Sequence, residues 1–450
     1  MPKKRTIEEI NQKIQDGSVH VVTADEVPEL VEELGVDQTF DEVDVVTSGT
    51  FGAMCSSGVW LNFGHSDPPI RAERISLNNV PCYGGLAAVD TYVGATQPST
   101  DRGLSYGGGH VIEDLLKGKN VHLVAESSGT DCYPRRYLSN DLRLDDFTQA
   151  VMANPRNAYQ RYNVATNSSP RTLHTYMGKL LPNWGNATFS GAGELSPLLN
   201  DPSYKTIGVG TKIFLGGGVG YVTGEGTQHN PEEGFGTLMV QGNLKGMTPE
   251  FVRGASFGGY GCSLYVGLGI PIPILDSSLV RSTAVRDQNI TTKVIDYSVS
   301  SCDRPVLAEV TYEELFSGCI DVQGQEIPTS SLSSRFMAKK VASELKSLIL
   351  NRQFGQLTLP VERLSQSSKP PSPNHPRRPS EVIHPSSPDN NGLWYYEDQC
   401  VHCGQCIAHC PFEVFSWAEE EDRVVVKAEN CTQCLSCEGV CPTQALVVGS

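Results

Sequence analysis

The sequence lacks the features that export, a membrane span or nucleic-acid binding would require. It has no run of 18 apolar residues and therefore predicts no spanning helix. Its start, MPKKRT, leads into a polar helix pattern and lacks the apolar core of a signal peptide. The 35 Lys and Arg residues face 51 Asp and Glu and form no extended basic stripe. Because phosphate binding needs concentrated positive charge, neither nucleic acid nor a membrane is predicted as a partner.

Cysteine, in contrast, is abundant and unevenly placed. Of the 14 cysteines, six lie in residues 1–391 and eight in residues 392–450. Without an export signal, they are interpreted as metal ligands and reactive thiols rather than as disulfides. The predicted location is therefore the cytoplasm.

The composition changes sharply ahead of the cysteine-rich end. Between positions 365 and 391, 14 of 27 residues are Pro or Ser, which is typical of a flexible, partly polyproline linker. The sequence therefore predicts a catalytic domain over 1–364, a linker over 365–391 and a small domain over 392–450.

The large region mixes helix and strand patterns. A capping-box pattern from Thr6 to Glu9 predicts a helix that ends near Gly17. The helical spacing of apolar residues, Phe336 and Leu345 among them, predicts another helix over 332–350. Apolar runs predict strands over 19–22, 43–46, 121–125, 207–215 and 264–266. The expected fold is α/β or α+β with an uncertain strand order, followed by a small α+β domain of the two-cluster ferredoxin type.

Two identical cysteine runs dominate the C-terminal region. Each has the pattern C-x2-C-x2-C-x3-C-P, and the second repeats the first 31 residues later. Three thiolates of such a run bind one [4Fe-4S] cluster, and the fourth binds the other cluster. The predicted ligand sets are Cys400, Cys403, Cys406 and Cys441 for one cluster, and Cys431, Cys434, Cys437 and Cys410 for the other.

Other interpretations apply to the cysteines and to the acidic charge of this region. The cysteines could form a pair of zinc sites, although zinc does not require the doubled four-cysteine pattern. The region from 392 to 450 has nine Asp and Glu against two Lys and Arg. This charge could orient a redox partner or serve solubility alone.

A glycine-rich segment, GGGVG at 216–220, follows an apolar run but does not match a nucleotide fingerprint. Its third glycine is misplaced and no helix pattern follows. A tight turn that packs backbone against backbone is favoured over a phosphate-binding nest.

Two cysteines of the large region stand in settings that favour reactivity. Cys55 lies among small residues directly after the 43–46 run, so backbone N–H groups can face its sulfur. Cys132 follows the 121–125 run, and Arg135 and Arg136 come shortly after it. Such donors and cations favour the reactive thiolate. Equivalent positions at strand ends predict that the two loops converge, whereas a buried inert thiol is the ordinary alternative for each.

Other polar residues near these loops are candidates for substrate binding. His65 and Asp67 could supply acid–base chemistry or bind an ammonium group, or could only hold a turn. Arg135 and Arg136 could bind a carboxylate, or could form surface ion pairs. His110 and His229 are expected to be structural. The remaining cysteines of the large region are expected to be inert thiols: Cys82, Cys262, Cys302 and Cys319.

Long segments of the sequence resemble the homocysteine-biosynthesis domain family. They are GTFGAMCSSG at 49–58, NFGHSDPP at 62–69, YGGGHVIED at 106–114, GTDCYP at 129–134, NPRNAYQ at 154–160, LGGGVGY at 215–221 and GLGIPIPIL at 267–275. The resemblance covers roughly 5–360 and implies an L-aspartate semialdehyde sulfurtransferase activity that makes homocysteine. Two family cysteines implicated in the chemistry match Cys55 and Cys132.

The resemblance also shows what is particular to this chain. Other family members carry paired CBS domains or work with a separate ferredoxin, whereas here a ferredoxin is fused through the linker. An external ferredoxin is therefore less necessary, and regulation by adenosine nucleotides is in doubt.

The predicted reaction is a reductive sulfur transfer. One thiol, preferably Cys55, carries sulfur as a persulfide or binds the thiohemiacetal, and Cys132 resolves it as a disulfide. Two clusters, fed by an external low-potential donor, then restore the thiols. The expected partners are a small aldehyde, a sulfide or persulfide donor and, as an option, a second copy of the chain. The alternative function is a non-enzymatic persulfide carrier or electron-transfer adaptor.

Overall fold

The computed structural model describes residues 4–157, 161–299, 304–367, 392–443 and 445–448, with backbone only for 155–157. The chain divides into two compact units, 1–370 and 371–450. Apart from its first three residues, the predicted linker over 365–391 lies outside the described residues, as does Cys302.

The described residues contain ten α-helices. They are α1 Ile7–Asp16, α2 Val27–Leu34, α3 Val36–Glu42, α4 Gly108–Leu116, α5 Pro197–Asn200, α6 Ser277–Thr283, α7 Tyr312–Ser317, α8 Arg335–Leu350, α9 Gln405–His409 and α10 Ser436–Val440.

Four larger sheets build the first unit. The nine-stranded sheet has the order Val252–Phe257, Gly261–Gly269, Lys212–Leu215, Gly218–Glu225, Leu238–Asn243, Gln149–Asn157, Gly58–Asn62 and Asp90–Gly94, with Thr50–Ala53 also paired to Gly261–Gly269. The six-stranded sheet has the order Val306–Thr311, Thr291–Asp296, Val164–Thr166, Ala187–Phe189, Gln325–Ser331 and Cys319–Val322. The four-stranded sheet has the order Tyr137–Leu142, Val121–Glu126, Arg74–Leu77 and Val80–Cys82. The three-stranded sheet joins Val21–Thr23, Val45–Thr47 and Pro271–Pro273.

Short ribbons complete the strands. In the first unit they are Pro98–Ser99 with Gly103–Gly107, Leu173–Thr175 with Gly178–Leu180, and Gly208–Val209 with Glu362–Arg363. In the second unit they are Leu393–Tyr395 with Leu446–Val448, and Phe415–Ala418 with Arg423–Val426.

Antiparallel pairing dominates these sheets. Every pair of the nine-stranded sheet is antiparallel. Parallel pairs occur between Val21–Thr23 and Val45–Thr47, and at two places in the six-stranded sheet. Hairpins join antiparallel strands without crossover helices, so the mixed fold fits the α+β alternative of the prediction better than α/β.

Helix α1 has the predicted ends. The Thr6 side chain accepts a hydrogen bond from the Glu9 N–H, the Glu9 carboxylate accepts one from the Thr6 N–H, and Gly17 ends the helix at a φ of +77°. Both orphan donors of the first turn are therefore satisfied by the residues that the sequence pattern names.

Helix α8 begins later than the helical spacing predicts. The Ser334 hydroxyl accepts from the Met337 N–H and starts the helix at Arg335 rather than at 332. Phe336, counted as part of the apolar face, is 77% exposed. The buried face consists of Met337, Ala338, Val341, Ala342, Leu345 and Ile349. The error arose because Leu332 lies four positions before Phe336 and so continues the helical spacing past the Ser334 N-cap.

The strand predicted over 207–215 is interrupted. Gly210 has a φ of +87°, and the segment divides into Gly208–Val209 and Lys212–Leu215, which belong to different sheets. The glycines that follow form the hairpin turn to Gly218–Glu225, with Gly216 and Gly217 at positive φ. A Cβ at Gly218 would lie 2.6 Å from the Gly246 carbonyl oxygen. The tight turn with backbone against backbone is therefore confirmed.

Candidate active site and cluster cysteines

Cys55 lies two residues beyond the end of the strand Thr50–Ala53. Thr50–Ala53 pairs with Gly261–Gly269, and this register sets Ala53 opposite Tyr265. The Cys55 sulfur is partly buried and lies 3.4 Å from the hydroxyl oxygen of Ser263. The thiol therefore faces a buried hydroxyl more than 200 positions away in the chain.

A small cavity opens at this thiol. Its volume is about 30 Å³, which is room for one or two water-sized atoms. It is lined by Ala53, Cys55, Tyr162, Tyr176, Met177, Ser190 and Leu332. An additional sulfur atom on Cys55 fits a space of this size.

Phenol hydroxyls form much of the polar surface around the cavity. The hydroxyls of Tyr162 and Tyr176 are 3.0 Å apart, and those of Tyr176 and Tyr297 are 2.7 Å apart. Tyr265 donates its hydroxyl to the Leu332 carbonyl over 2.9 Å. Burial raises the pKa of Tyr265, and the neighbouring Cys55 raises it further. Tyr265 therefore holds its proton at neutral pH.

Cys132 occupies a different setting, an exposed loop between Val121–Glu126 and Tyr137–Leu142. Thr130 and Tyr133 exchange backbone hydrogen bonds across the cysteine. Arg135 donates to the carbonyl oxygens of Asp67 and Pro68 over 2.6 and 2.9 Å. The Arg135 guanidinium thus fastens this loop to the 65–69 segment.

The remaining predicted substrate residues gather near Cys132. The His65 ring stacks on Tyr133 with centroids 6.3 Å apart. Arg136 is exposed beside the same loop. The structure therefore brings Cys132, His65, Asp67, Arg135 and Arg136 together, at a place separate from Cys55.

Cys55 and Cys132 lie in different surroundings. Cys55 lines the small cavity, whereas Cys132 lies on the exposed loop that Arg135 fastens to the 65–69 segment. Both thiols are free, and a disulfide would need their Cβ atoms about 4 Å apart. The convergence of the two loops stays a prediction.

Two other thiols of the first unit, those of Cys82 and Cys262, have inert surroundings. Burial raises the pKa of Cys82 to about 12. Cys262 is buried against the Leu104 carbonyl, and its burial also raises its pKa. His229 is held by the carbonyls of Thr237 and Ser365, in accord with a structural role.

In the second unit, cysteines from both runs meet in one cavity. It is lined by Cys410, Phe412, Val414, Phe415, Cys431, Thr432, Cys434, Leu435, Ser436, Cys437 and Val448. Among the described residues, no three His, Cys, Asp or Glu side chains gather closely enough for a single metal ion. A cubane holds its thiolates further apart than one zinc ion does, so a cysteine-lined cavity suits a cluster.

Backbone N–H groups point at the sulfurs of this unit. His402, Gln433 and Ala445 donate to the sulfurs of Cys400, Cys431 and Cys441 over 3.3, 3.4 and 3.2 Å. Such donors stabilise negative charge on thiolates. The surroundings fit thiolates that bind iron.

The buried Tyr395 hydroxyl gives a second indication that this unit suits a bound cluster. It lies beside the Cys400 sulfur, yet it completes no hydrogen bond to protein within the described part of the chain. Burial, and then the neighbouring Cys400, raise the pKa of Tyr395. An acceptor brought by a cluster would satisfy this proton.

Comparison with known proteins assigns the large region. Residues 19–356 match the family described as homocysteine biosynthesis enzyme, sulfur-incorporation. The chain belongs to this family. In addition to the family domain, this homocysteine biosynthesis enzyme carries a 4Fe-4S dicluster domain, which is matched over residues 399–445.

Curated relatives support the same assignment. An L-aspartate semialdehyde sulfurtransferase of Methanosarcina acetivorans is 58% identical over 363 residues, 81% of this chain and 72% of the relative. A protein of the same name from Methanocaldococcus jannaschii is 53% identical over 382 residues, 82% of this chain and 74% of the relative. A ferredoxin of Methanothermococcus thermolithotrophicus is 42% identical over 53 residues, 11% of this chain and 87% of the ferredoxin. No solved structure matches the chain.

In this homocysteine biosynthesis enzyme, sequence reasoning identified Cys55 but missed its surroundings. Ser263 and Tyr265 share the strand Gly261–Gly269, and Tyr162 and Tyr176 come from two other segments, so only the tertiary fold brings them to the thiol. No spacing in the sequence signals their meeting.

Within the described ranges, none of the helices has the length and apolar character that a bilayer crossing demands.

Proposed function

We propose that this enzyme transfers sulfur reductively to L-aspartate semialdehyde and forms L-homocysteine. The support is the family membership together with the printed activity of two relatives more than half identical to it. The aldehyde, one hydrogen sulfide, two electrons and two protons give the thiol and water. The reaction is placed in the cytoplasm, where free thiols and iron–sulfur clusters persist.

The observation that carries this proposal is the cavity at Cys55. Its volume of about 30 Å³ accommodates one more sulfur atom, and the Ser263 hydroxyl lies 3.4 Å from the thiol. In this scheme Cys55 takes the outer sulfur of a persulfide donor, which leaves as a thiol, and two electrons from the low-potential donor then release that sulfur as hydrogen sulfide beside the aldehyde. Alternatively, Cys55 adds to the aldehyde and holds it as a thiohemiacetal. The aldehyde carbon reacts at the mouth of this cavity, next to the tyrosine hydroxyls.

Cys132 is assigned the role of resolving thiol. Because it is exposed on the 127–136 loop, it is accessible for thiol–disulfide exchange once that loop moves. His65, Asp67, Arg135 and Arg136 are assigned to substrate binding at this loop. Arg135 already binds two backbone carbonyls, which leaves Arg136 as the better carboxylate ligand of the two.

Two [4Fe-4S] clusters are assigned to the second unit, with the ligand sets given by the two cysteine runs. One cavity contains Cys410 from the first run and Cys431, Cys434 and Cys437 from the second. This combination is the crossed set expected for a two-cluster ferredoxin. When bound, the clusters supply electrons one at a time from an external low-potential donor.

An anaerobic assay tests the function directly. The reconstituted full chain receives aspartate semialdehyde, sulfide and a low-potential reductant, and homocysteine is measured. We expect product from the wild type, a loss of at least about 100-fold in Cys55→Ser, and accumulation of the loaded Cys55 in Cys132→Ser. Cys319→Ser serves as the matched control, because Cys319 lies in a strand of the six-stranded sheet and should leave turnover unchanged.

Two results would contradict the proposal. Full homocysteine formation by both Cys55→Ser and Cys132→Ser would remove the thiols from the reaction. Sulfur loading and cluster reduction without product from the wild type would instead identify a persulfide carrier or an electron-transfer adaptor.

A further inference from the structure

Three tyrosines connect the Cys55 cavity to the outer part of the first unit. Tyr162 and Tyr176 line the cavity, and the hydroxyl of Tyr176 lies between those of Tyr162 and Tyr297, at 3.0 and 2.7 Å. Each phenol can donate one proton and accept another. Distances of this length allow a proton to pass along the row.

The surrounding structure holds this row in place. The Thr292 hydroxyl donates to the Tyr162 carbonyl over 2.7 Å, and the Arg304 guanidinium lies 4.4 Å from the centre of the Tyr297 ring. Tyr176 sits in the turn between Leu173–Thr175 and Gly178–Leu180. Burial, and then the neighbouring Tyr176, raise the pKa of Tyr297. Tyr297 therefore stays protonated at neutral pH.

Another phenol beside Cys55 already donates its proton to a different group. Tyr265 donates its proton to the Leu332 carbonyl over 2.9 Å. A phenol that donates to a backbone carbonyl must break that bond before it can protonate a substrate. Tyr176, whose partners are other hydroxyls, gives up a proton and regains one without such a loss.

The proposed reaction needs a proton donor at this place. Hydrogen sulfide adds to the aldehyde, forming the C–S bond and converting the carbonyl oxygen to a hydroxyl. The C–O bond then breaks, and the hydroxyl leaves as water after taking a proton, while the sulfur gives one up. Two electrons from a low-potential donor and two protons from solvent complete the thiol. A hydroxide is a poor leaving group, so an acid beside the carbon accelerates the second step.

We propose that Tyr176 donates the proton to the departing oxygen, and that Tyr297 returns a proton to Tyr176 from the solvent side. This inference rests on the proposed function, because it names the acid of that reaction. Tyr176 touches the reacting atoms at the cavity and is a catalytic residue. Tyr297 acts through Tyr176 and is a positioning and relay residue.

The test uses the full chain with both clusters. Tyr176→Phe removes the acid, and we expect kcat to fall about 100-fold with KM changed less than about threefold. Tyr297→Phe leaves the cavity lining intact, and we expect kcat to fall about tenfold with a larger solvent deuterium isotope effect than in the wild type. Loading of Cys55 by an added small-molecule persulfide, whose outer sulfur passes to the thiol while the donor leaves as a thiol, is read as the mass gain of one sulfur atom and should match the wild type in both variants.

Tyr221→Phe is the matched control, because Tyr221 is 47% exposed on Gly218–Glu225 and does not line the cavity. Wild-type kcat and isotope effect in both Tyr176→Phe and Tyr297→Phe, with homocysteine still formed, would overturn the relay and leave the proposed function standing. A wild type that loads sulfur but forms no homocysteine would overturn both. If Tyr176→Phe loses sulfur loading as well, an unchanged isotope effect in Tyr297→Phe would count against the relay.

Discussion

The Cys55 sulfur lies 3.4 Å from the hydroxyl oxygen of Ser263, because Cys55 follows Thr50–Ala53 and this strand pairs with Gly261–Gly269, which carries Ser263. Ser263 is fully buried, so little water can take the place of the Cys55 sulfur as the hydrogen-bond partner of its hydroxyl. A hydroxyl that donates to a thiolate stabilises the charged, reactive form. The sheet register, rather than the Cys55 loop itself, supplies this donor.

Ser263→Ala should therefore slow the reaction of Cys55 with iodoacetamide. Loss of one hydrogen bond to a buried charge corresponds to about a tenfold lower rate at neutral pH. Mass spectrometry of the Cys55 peptide over time gives the rate. Ser256→Ala is the control, because Ser256 lies on the paired strand and approaches Cys262 at 3.9 Å instead. Equal alkylation rates in wild type and Ser263→Ala would show that the serine does not support the thiolate.

Helix α8 provides a stability test of its observed face. Leu345 is fully buried and Phe336 is 77% exposed, although helical spacing assigned both to one apolar face. Leu345→Ala should lower the free energy of unfolding by about 2–5 kcal/mol, because it leaves a cavity. Phe336→Ala should change it by less than about 0.5 kcal/mol. Urea unfolding followed by circular dichroism measures both, and a larger loss in Phe336→Ala would reverse the assignment.

The same helix shows where sequence reasoning stops. Periodicity located α8 and the box at Thr6 fixed α1, because both signals are local. The N-cap at Ser334 was missed because the apolar residue that precedes it continues the helical spacing, although that residue lies outside the helix. The approach of Tyr176 to Cys55 depends on pairing between distant strands, and no local pattern encodes it.

The placement of Cys132 illustrates the same limit. Its position after a strand was predicted correctly, since Val121–Glu126 ends just before its loop. Position after a strand fixes which end of that strand a residue occupies, but not which sheet the strand joins. Val121–Glu126 belongs to the four-stranded sheet and Val45–Thr47, the strand that the prediction set before Cys55, to the three-stranded sheet, so position after a strand does not by itself make the two loops neighbours.

Asp296 should make stability depend on acid pH. Burial alone would raise its pKa, but hydrogen bonds from Ser168 and Ser298 outweigh it and lower the pKa below 3.8. The folded state thus favours the carboxylate, and this stabilisation is present above about pH 4 and lost as pH falls through the lowered folded pKa. Asp296→Asn should cost about 1–3 kcal/mol at pH 7, and the difference from wild type should shrink toward pH 3.

Urea midpoints at several pH values between 7 and 3 measure this difference, with Asp321→Asn as the exposed control. Because acid removes clusters from every variant alike, the comparison between variants isolates Asp296. A constant difference across the range would contradict the assignment of the lowered pKa.

The Tyr395 hydroxyl should tune one cluster. It is buried beside the Cys400 sulfur, where a donated proton stabilises the extra electron of the reduced cluster. Tyr395→Phe removes that donor and should lower one of the two reduction potentials by on the order of tens of mV, while the other stays unchanged. Anaerobic titration followed by electron paramagnetic resonance resolves the two. Tyr396→Phe, one position along the chain, is the control, because its backbone N–H bond to Ala445 survives the change. Equal shifts in both variants would mean that a general loosening of the domain, rather than the lost donor, sets the potential.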